Sequence, residues 1–246
     1  MSSFDYRFPL WRGHSKVDWP LRPEVFRPSR HGRTYDENTL LRHFMDQAES
    51  RHTRCPPRDD RLGWLMLARH FGLPTRLLDW SWSPLVALYF ATQPDDGHRD
   101  SDGCLWAIQP GFMNHQMMGL LMGLLTTPRM MVPDEPKVLE LVNAAFEVSS
   151  LKAAVHMSSV RGLAFAINAR EIDARMFTQQ GAFTIHGDHA DLADAAEYVA
   201  QPWKRVFRIP SKSKTDLSEL MRRLSIHKST LFPDLGALAA DLKSRP

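Results

Sequence analysis

Apolar residues recur along this chain with two periods. Leu40, Leu41, Phe44 and Ala48 share one helical face behind Asp36, predicting a helix capped there and running to about Arg54. Leu62, Leu65, Met66 and Ala68 predict a second helix, opened by Asp60 and stopped by Gly72 and Pro74. Ser83-Pro84 opens a third, with Leu85, Val86, Leu88, Tyr89 and Phe90 making it apolar nearly all round, as in a central packed helix. Val138 to Val148 reads as helical, Asp216 can cap a helix to Leu224, and Pro233 opens a last one with Leu235, Leu238, Ala239 and Leu242 inward. Between these lie short strand patterns at 8–14, Thr75 to Trp80, 103–109, Leu163 to Ile167, Ala182 to His186 and Trp203 to Ile209. Strands and helices that interleave without strict alternation point to an α+β fold. We expect a single domain over 1–246, with a mixed β-sheet core flanked by helices.

Residues 112–132 hold six of the twelve methionines, and 112–148 reads as a helical insertion. Flexible thioethers suit either a buried filler role, the more common one, or an adaptable lid or partner surface.

Composition narrows the class. At 246 residues, 43% hydrophobic and 24% charged, the chain has the make-up of a globular protein. No run is apolar enough to span a membrane, so no membrane partner is expected. The start, Met1-Ser-Ser-Phe-Asp-Tyr-Arg, lacks the order of a signal peptide, and Cys55 and Cys104 cannot build a disulfide framework. The expectation is a cytoplasmic protein. Charge is uneven: residues 1–76 hold 14 Lys/Arg against 9 Asp/Glu, 77–202 hold 7 against 15, and 203–228 hold 8 against 2. The basic ends read either as phosphate-binding surfaces or as solvated faces.

Three groups of residues can carry chemistry. Trp11-Arg12-Gly13-His14 ends a strand with a guanidinium able to meet a phosphate or carboxylate, with backbone close by. Thr75-Arg76 precedes Asp79, Ser81 and Ser83; Asp79 can pair with Arg76 or Arg12, and Ser83 can cap the following helix. Gln179-Gln180-Gly181 leads a strand ending in His186-Gly187-Asp188-His189. That last run is too closely spaced to define a metal site, so none is expected.

These residues carry a resemblance. Trp11-Arg12-Gly13, Trp19-Pro-Leu-Arg-Pro23, the block from His70 to Trp80 and Ser83-Pro-Leu-Val-Ala-Leu-Tyr-Phe-Ala91 resemble the FRG domain family. So do Arg175, Gln179, Gly181 and Phe183 in a later pattern, and Leu231-Phe-Pro-Asp-Leu235 near the end. Trp11 replaces the family's Phe, and Arg69 stands where Gln is usual. More distantly, an Arg on an early strand, a Ser before a central helix and a polar residue ahead of a later strand are similar in order to ADP-ribosyltransferases.

That likeness implies an ADP-ribosyltransferase-like fold that takes NAD as co-substrate and acts on a protein or nucleic acid, as a toxin or defence component. Arg12, Ser81, Ser83, Gln179 and Gln180 would serve catalysis, and Arg12, Gly13, His14 and Arg76 would hold the NAD. Loss of nicotinamide leaves positive charge on a sugar, which needs nearby negative charge. Gln179 and Gln180 are neutral, and Glu171 or Asp173 are the nearest acids in sequence. Two other readings stand beside it. One is a non-catalytic module binding nucleic acid or nucleotides through the basic ends, with Trp11 and Trp19 beside Arg22 and Arg27. The other is phosphodiester cleavage by His14, His70 or His186 with Asp79.

Overall fold

Short β-branched and aromatic runs bounded by turn residues become six strands: β1 (Leu10–His14), β2 (Leu77–Ser81), β3 (Gly103–Ile108), β4 (Ala164–Asn168), β5 (Gly181–His186) and β6 (Lys204–Ile209). The computed structural model describes residues 8–28, 32, 34–93, 100–122, 130–133, 136, 164–170, 174–187, 192 and 203–243. The strands form one sheet in the order β4-β5-β2-β1-β3-β6, and every ladder is antiparallel. One isolated parallel bridge joins Met131 to Ile167. With its flanking helices this is an α+β architecture.

The sheet has a seam. β1 pairs with β3 through five residues and β2 with β5 through five, but β1 and β2 share the single pair Trp11–Ser81. Beyond that pair the Asp79 carbonyl is met by a side chain: Arg12 Nη1 donates to it at 2.6 Å. A guanidinium thus satisfies a buried acceptor that the missing ladder leaves open.

Local chemistry sets the helices. Asp36 Oδ1 accepts from the Thr39 amide at 3.1 Å and starts α1 (Glu37–Ala48). α1 ends earlier than the pattern predicts, because the amides of Arg51 and His52 both turn back onto the Ala48 carbonyl at 2.8 Å. Asp60 Oδ1 accepts from Gly63 at 3.0 Å and starts α2 (Arg61–His70), buried from Leu62 to Ala68. The helix stops at Gly72, whose φ of 83° suits glycine. Ser83 caps α3 (Pro84–Thr92) by accepting from Val86, and Pro84 sits in its first turn.

α3 is packed nearly all round, as expected: Val86, Ala87, Tyr89, Ala91 and Thr92 are buried on different sides of the helix, and exposure is confined to the first turn, at Pro84 and Leu85. Its backbone lies directly on β1. A Cβ at Gly13 would meet the Ala87 carbonyl oxygen at 1.8 Å and the Ala91 nitrogen at 2.7 Å. The glycine of the Trp11-Arg12-Gly13 run is therefore required by a helix.

α4 (Pro110–Met122) opens the methionine-rich segment. Met113 and Met117 are fully buried in the main core, and Asn114 clamps α4 to β4 through both the amide and the carbonyl of Ala166 (2.7 and 2.8 Å). Met113, Met117 and Met131 are thus core. The expected helix from Val138 to Val148, and most of the expected insertion beyond Met122, lie outside the described residues.

α5 (Ala174–Thr178) precedes β5, and α6 (Lys214–Arg223), α7 (Lys228–Leu231) and α8 (Leu235–Lys243) close the chain. α6 begins two residues before Asp216, which lies in its first turn instead of capping it. α8 is rotated from expectation. Leu235, Leu238, Ala239 and Leu242 face outward, and Ala237 and Asp241 face inward. The rotation follows from Asp241, which accepts from Ser229 Oγ at 3.1 Å and approaches His227 at 3.5 Å. Among the described residues no helix is long and apolar enough to cross a membrane.

Candidate functional site

The seam opens into a cleft of about 640 Å³, a size suited to an organic ligand of a few rings. Its walls come from β1, the loop after it, the end of α2, β2, α3, α5 and the start of β5. Arg12, Ser81 and Gln179, separated by up to 167 positions, all line it. Trp11, Trp19, Trp80 and Phe90 supply aromatic wall, and Arg12, Arg27, Arg69 and Arg175 outnumber the acids Glu24 and Asp79. A basic, aromatic hollow of this kind suits an anionic ligand with flat rings.

A chain of charge runs through it. Arg69 binds Asp79 with Nε at 3.1 Å and Nη2 at 2.8 Å, while its Nη1 holds Glu24 Oε2 at 2.8 Å. Arg12 Nη1 lies 3.7 Å from Asp79 Oδ2, and Arg12 Nε donates to His14 Nε2 at 3.0 Å. Arg12 Nη2 has no hydrogen-bond partner among the described residues.

Burial alone would raise the Asp79 carboxyl, but the charge and hydrogen bonds of Arg69, and then the charge of Arg12, hold it at about 2. Burial pulls Arg12 down to about 10, with Arg27 and Arg69 adding to the fall and Asp79 opposing it. It stays a cation at neutral pH. Arg69 moves up, chiefly through Asp79. Burial, then Arg12 and Arg27, push His14 down to about 2 against a smaller pull from the Trp19 backbone. His14 is therefore neutral. Because its Nε2 accepts from Arg12, the network assigns its proton to Nδ1.

The expected site residues separate into three sets. Arg12, His14, Ser81 and Gln179 meet in the cleft, as does Gly13, whose smallness serves α3. Ser81 Oγ donates to the Gln179 carbonyl at 2.7 Å and accepts from the Ser83 amide at 3.0 Å, tying the turn before β5 to β2. Gln179 Nε2 reaches the Leu231 carbonyl at 3.1 Å. Ser83 and Gln180 stand outside the cleft lining. Ser83 is spent on the helix cap, and Gln180 adopts a φ of 46° and turns its carbonyl to the Trp82 amide at 3.0 Å.

Arg76 is the clearest departure. It is buried away from the cleft, with Nε on Glu37 Oε2 at 2.6 Å. Asp79, for which Arg76 was one expected partner, pairs instead with Arg69 and Arg12. Glu171, Asp173, Asp188 and His189 lie outside the described residues.

His186 is fully buried against Thr184 Oγ1 at 2.8 Å, and the His14 Nε2 lone pair accepts from Arg12, so neither offers the free lone pair that general-base cleavage of a phosphodiester needs; the third candidate, His70, lines the cleft. Among the described residues no group of three His, Cys, Asp or Glu side chains is placed to hold a metal ion. Burial pushes the Cys104 thiol up to about 11, which makes it unreactive.

Sequence reasoning missed Glu24 and undervalued Arg69. Glu24 sits in a proline-rich loop with no periodicity. Arg69 looked like a departure from a pattern, and its role depends on partners 45 and 10 positions away.

Residues 8–100 match the family model of the FRG domain. That span contains β1, Glu24, α1, α2, β2 and α3, and hence Arg12, Arg69, Asp79 and Ser81; Gln179 and α5 lie beyond it. No curated protein and no solved structure matches the chain.

Proposed function

We propose, starting from the match of residues 8–100 to the FRG domain family, that the cleft of this chain binds NAD and transfers ADP-ribose to a protein or nucleic acid, the work of a toxin or defence effector. The observation that carries this reading is the meeting of Arg12, Ser81 and Gln179 in one cleft. They come from an early strand, from the strand before the central helix, and from the turn ahead of β5. The likeness to ADP-ribosyltransferases rests on that order and remains a likeness of arrangement.

Each group then has a physical task. Arg12, fixed by His14 and the Asp79 carbonyl, offers its Nη2 face to the pyrophosphate. The cleft aromatics stack on the two ring systems. Ser81 fixes the Gln179 turn beneath the ribose. His14 stays uncharged beside Arg12, so it positions the guanidinium without repelling it.

The test is calorimetric titration of the full chain with NAD, alongside mass-spectrometric detection of released nicotinamide, for the wild type and Arg12→Ala. Micromolar binding with slow release, both lost in Arg12→Ala, is expected. No binding and no release by the wild type would overturn the reading.

A second reading has one observation in its favour. β6 is an edge strand on which exposed Val206 and Phe207 stand between Arg205 and Arg208. Cations beside an exposed aromatic suit a single-stranded nucleic acid. RNA binding that weakens steeply with salt and ignores Arg12→Ala would favour that module over the transferase.

A further inference from the structure

We infer that Glu24 is the carboxylate that faces the reacting ribose, and that Arg69 holds it there; the inference rests on the NAD reading above. The argument begins from a charge deficit. Breaking the bond between C1′ of the ribose and the nicotinamide nitrogen sends the bonding pair to that nitrogen and leaves positive charge on the sugar. The turn before β5 offers Gln179 and Gln180, both neutral, with Gln179 tethered to Leu231 and Gln180 outside the cleft lining.

Among the described residues, the cleft is lined by two carboxylates, Glu24 and Asp79. Asp79 has both oxygens engaged: Oδ1 by Arg69 Nε, and Oδ2 by Arg69 Nε and Nη2, with Arg12 close by. Glu24 has one oxygen, Oε2, held by Arg69 Nη1. Its Oε1 has no hydrogen-bond partner among the described residues; the two acids are exposed alike, 42% for Glu24 and 44% for Asp79, so the open oxygen is what separates them. Of the two, only Glu24 has an oxygen left to accept from a ribose hydroxyl or to take a proton.

Arg69 makes this geometry specific. Its guanidinium spans both acids, so Glu24 is fixed relative to Asp79 and, through Asp79, to Arg12.

The step balances without a further reagent. The C1′–N bond breaks, and nicotinamide leaves neutral. An oxygen of water or of an acceptor hydroxyl bonds to C1′, and its proton passes to Glu24 Oε1 and then to solvent. Glu24 is the catalytic residue, and Arg69 is a positioning residue acting through it.

The experiment compares wild type, Glu24→Gln and Arg69→Lys as full-length chains, measuring NAD affinity by calorimetry and nicotinamide release by mass spectrometry. Glu24→Gln is expected to bind NAD within about threefold of wild type but to release nicotinamide about 100-fold more slowly. Arg69→Lys lowers kcat with KM held, the split that separates mispositioning from lost binding. If Glu24→Gln turns over within about threefold of wild type, the assignment to Glu24 is overturned while the NAD reading stands. If wild type itself neither binds NAD nor releases nicotinamide, both fall together.

Discussion

Two glutamate–arginine pairs of nearly equal length differ in burial. Glu37 Oε2 meets Arg76 Nε at 2.6 Å, Glu37 Oε1 accepts from the Arg76 amide at 2.7 Å, and the two side chains are 7% and 6% exposed. Glu24 Oε2 meets Arg69 Nη1 at 2.8 Å with Glu24 almost half exposed. The first pair closes on itself and welds the start of α1 to the start of β2. The second leaves an oxygen open and shares its guanidinium with Asp79. The same two side-chain types are structural where every valence is used and available for chemistry where one is not.

The sharpest way to break this contrast is at the closed pair. Glu37→Ala leaves a buried guanidinium without its anion and should cost about 4 kcal/mol in chemical denaturation. Replacing both Glu37 and Arg76 with methionine should recover most of that, because the cost lies in the orphaned charge and not in the absence of an ion pair. A loss below about 1 kcal/mol for Glu37→Ala would erase the distinction between the two pairs.

Gly13→Ala follows in size. Its Cβ would strike helix backbone at Ala87, so a loss of about 3 kcal/mol is expected in the same assay. The cleft wall should shift with it, weakening NAD binding. An unchanged midpoint would mean that α3 can move off β1.

His14 sharpens the comparison from the open side. Its value in the folded chain lies at about 2, below the ordinary 6.5, so the unfolded chain binds more protons between those limits. Stability therefore falls as pH drops below about 6.5, and should be lower by about 2 kcal/mol at pH 5 than at pH 7.5. In His14→Gln that acid-dependent loss should vanish, as urea denaturation across the range will show. Asp79, held at about 2, adds stability that is lost only below about pH 4, so the loss between pH 7.5 and 5 belongs to His14 and the two add below that.

The smallest effect is expected at Glu24. Glu24→Gln removes a half-exposed, solvent-screened pair and should change stability by less than about 1 kcal/mol. A thermal midpoint that falls as far as that of Glu37→Ala would show both pairs to be structural.

Much of the local structure was legible. Asp36, Asp60 and Ser83 cap the helices they precede, because capping needs only the next three residues. The strands at 10–14, 103–108, 181–186 and 204–209 follow their apolar runs. In the last helix the apolar pattern points to the wrong face. Its leucines suggested a buried stripe, but Asp241, bonded to Ser229 and beside His227, sets the rotation. Of the two partners the sequence offers Asp79, Arg12 pairs with it at 3.7 Å, while Arg76, three positions away, is taken by Glu37; Arg69 supplies a closer partner at 2.8 Å. Sequence proximity ranks contacts poorly in a strand, where neighbours point to opposite faces.

By itself the sequence determined the helix caps, the apolar runs and the Arg12, Ser81 and Gln179 groups, each within a few residues of chain. It also supplied a glycine at position 13, whose reason lies in the backbone of α3. Only the tertiary structure decided which charges face a cleft and which close on each other. That choice depends on a single residue pair between β1 and β2, on the carbonyl that Arg12 fills beside it, and on partners up to 67 positions apart. Coulombic and hydrogen-bonding contacts act over a few ångströms in space, and the spacing of residues along the chain does not record that distance.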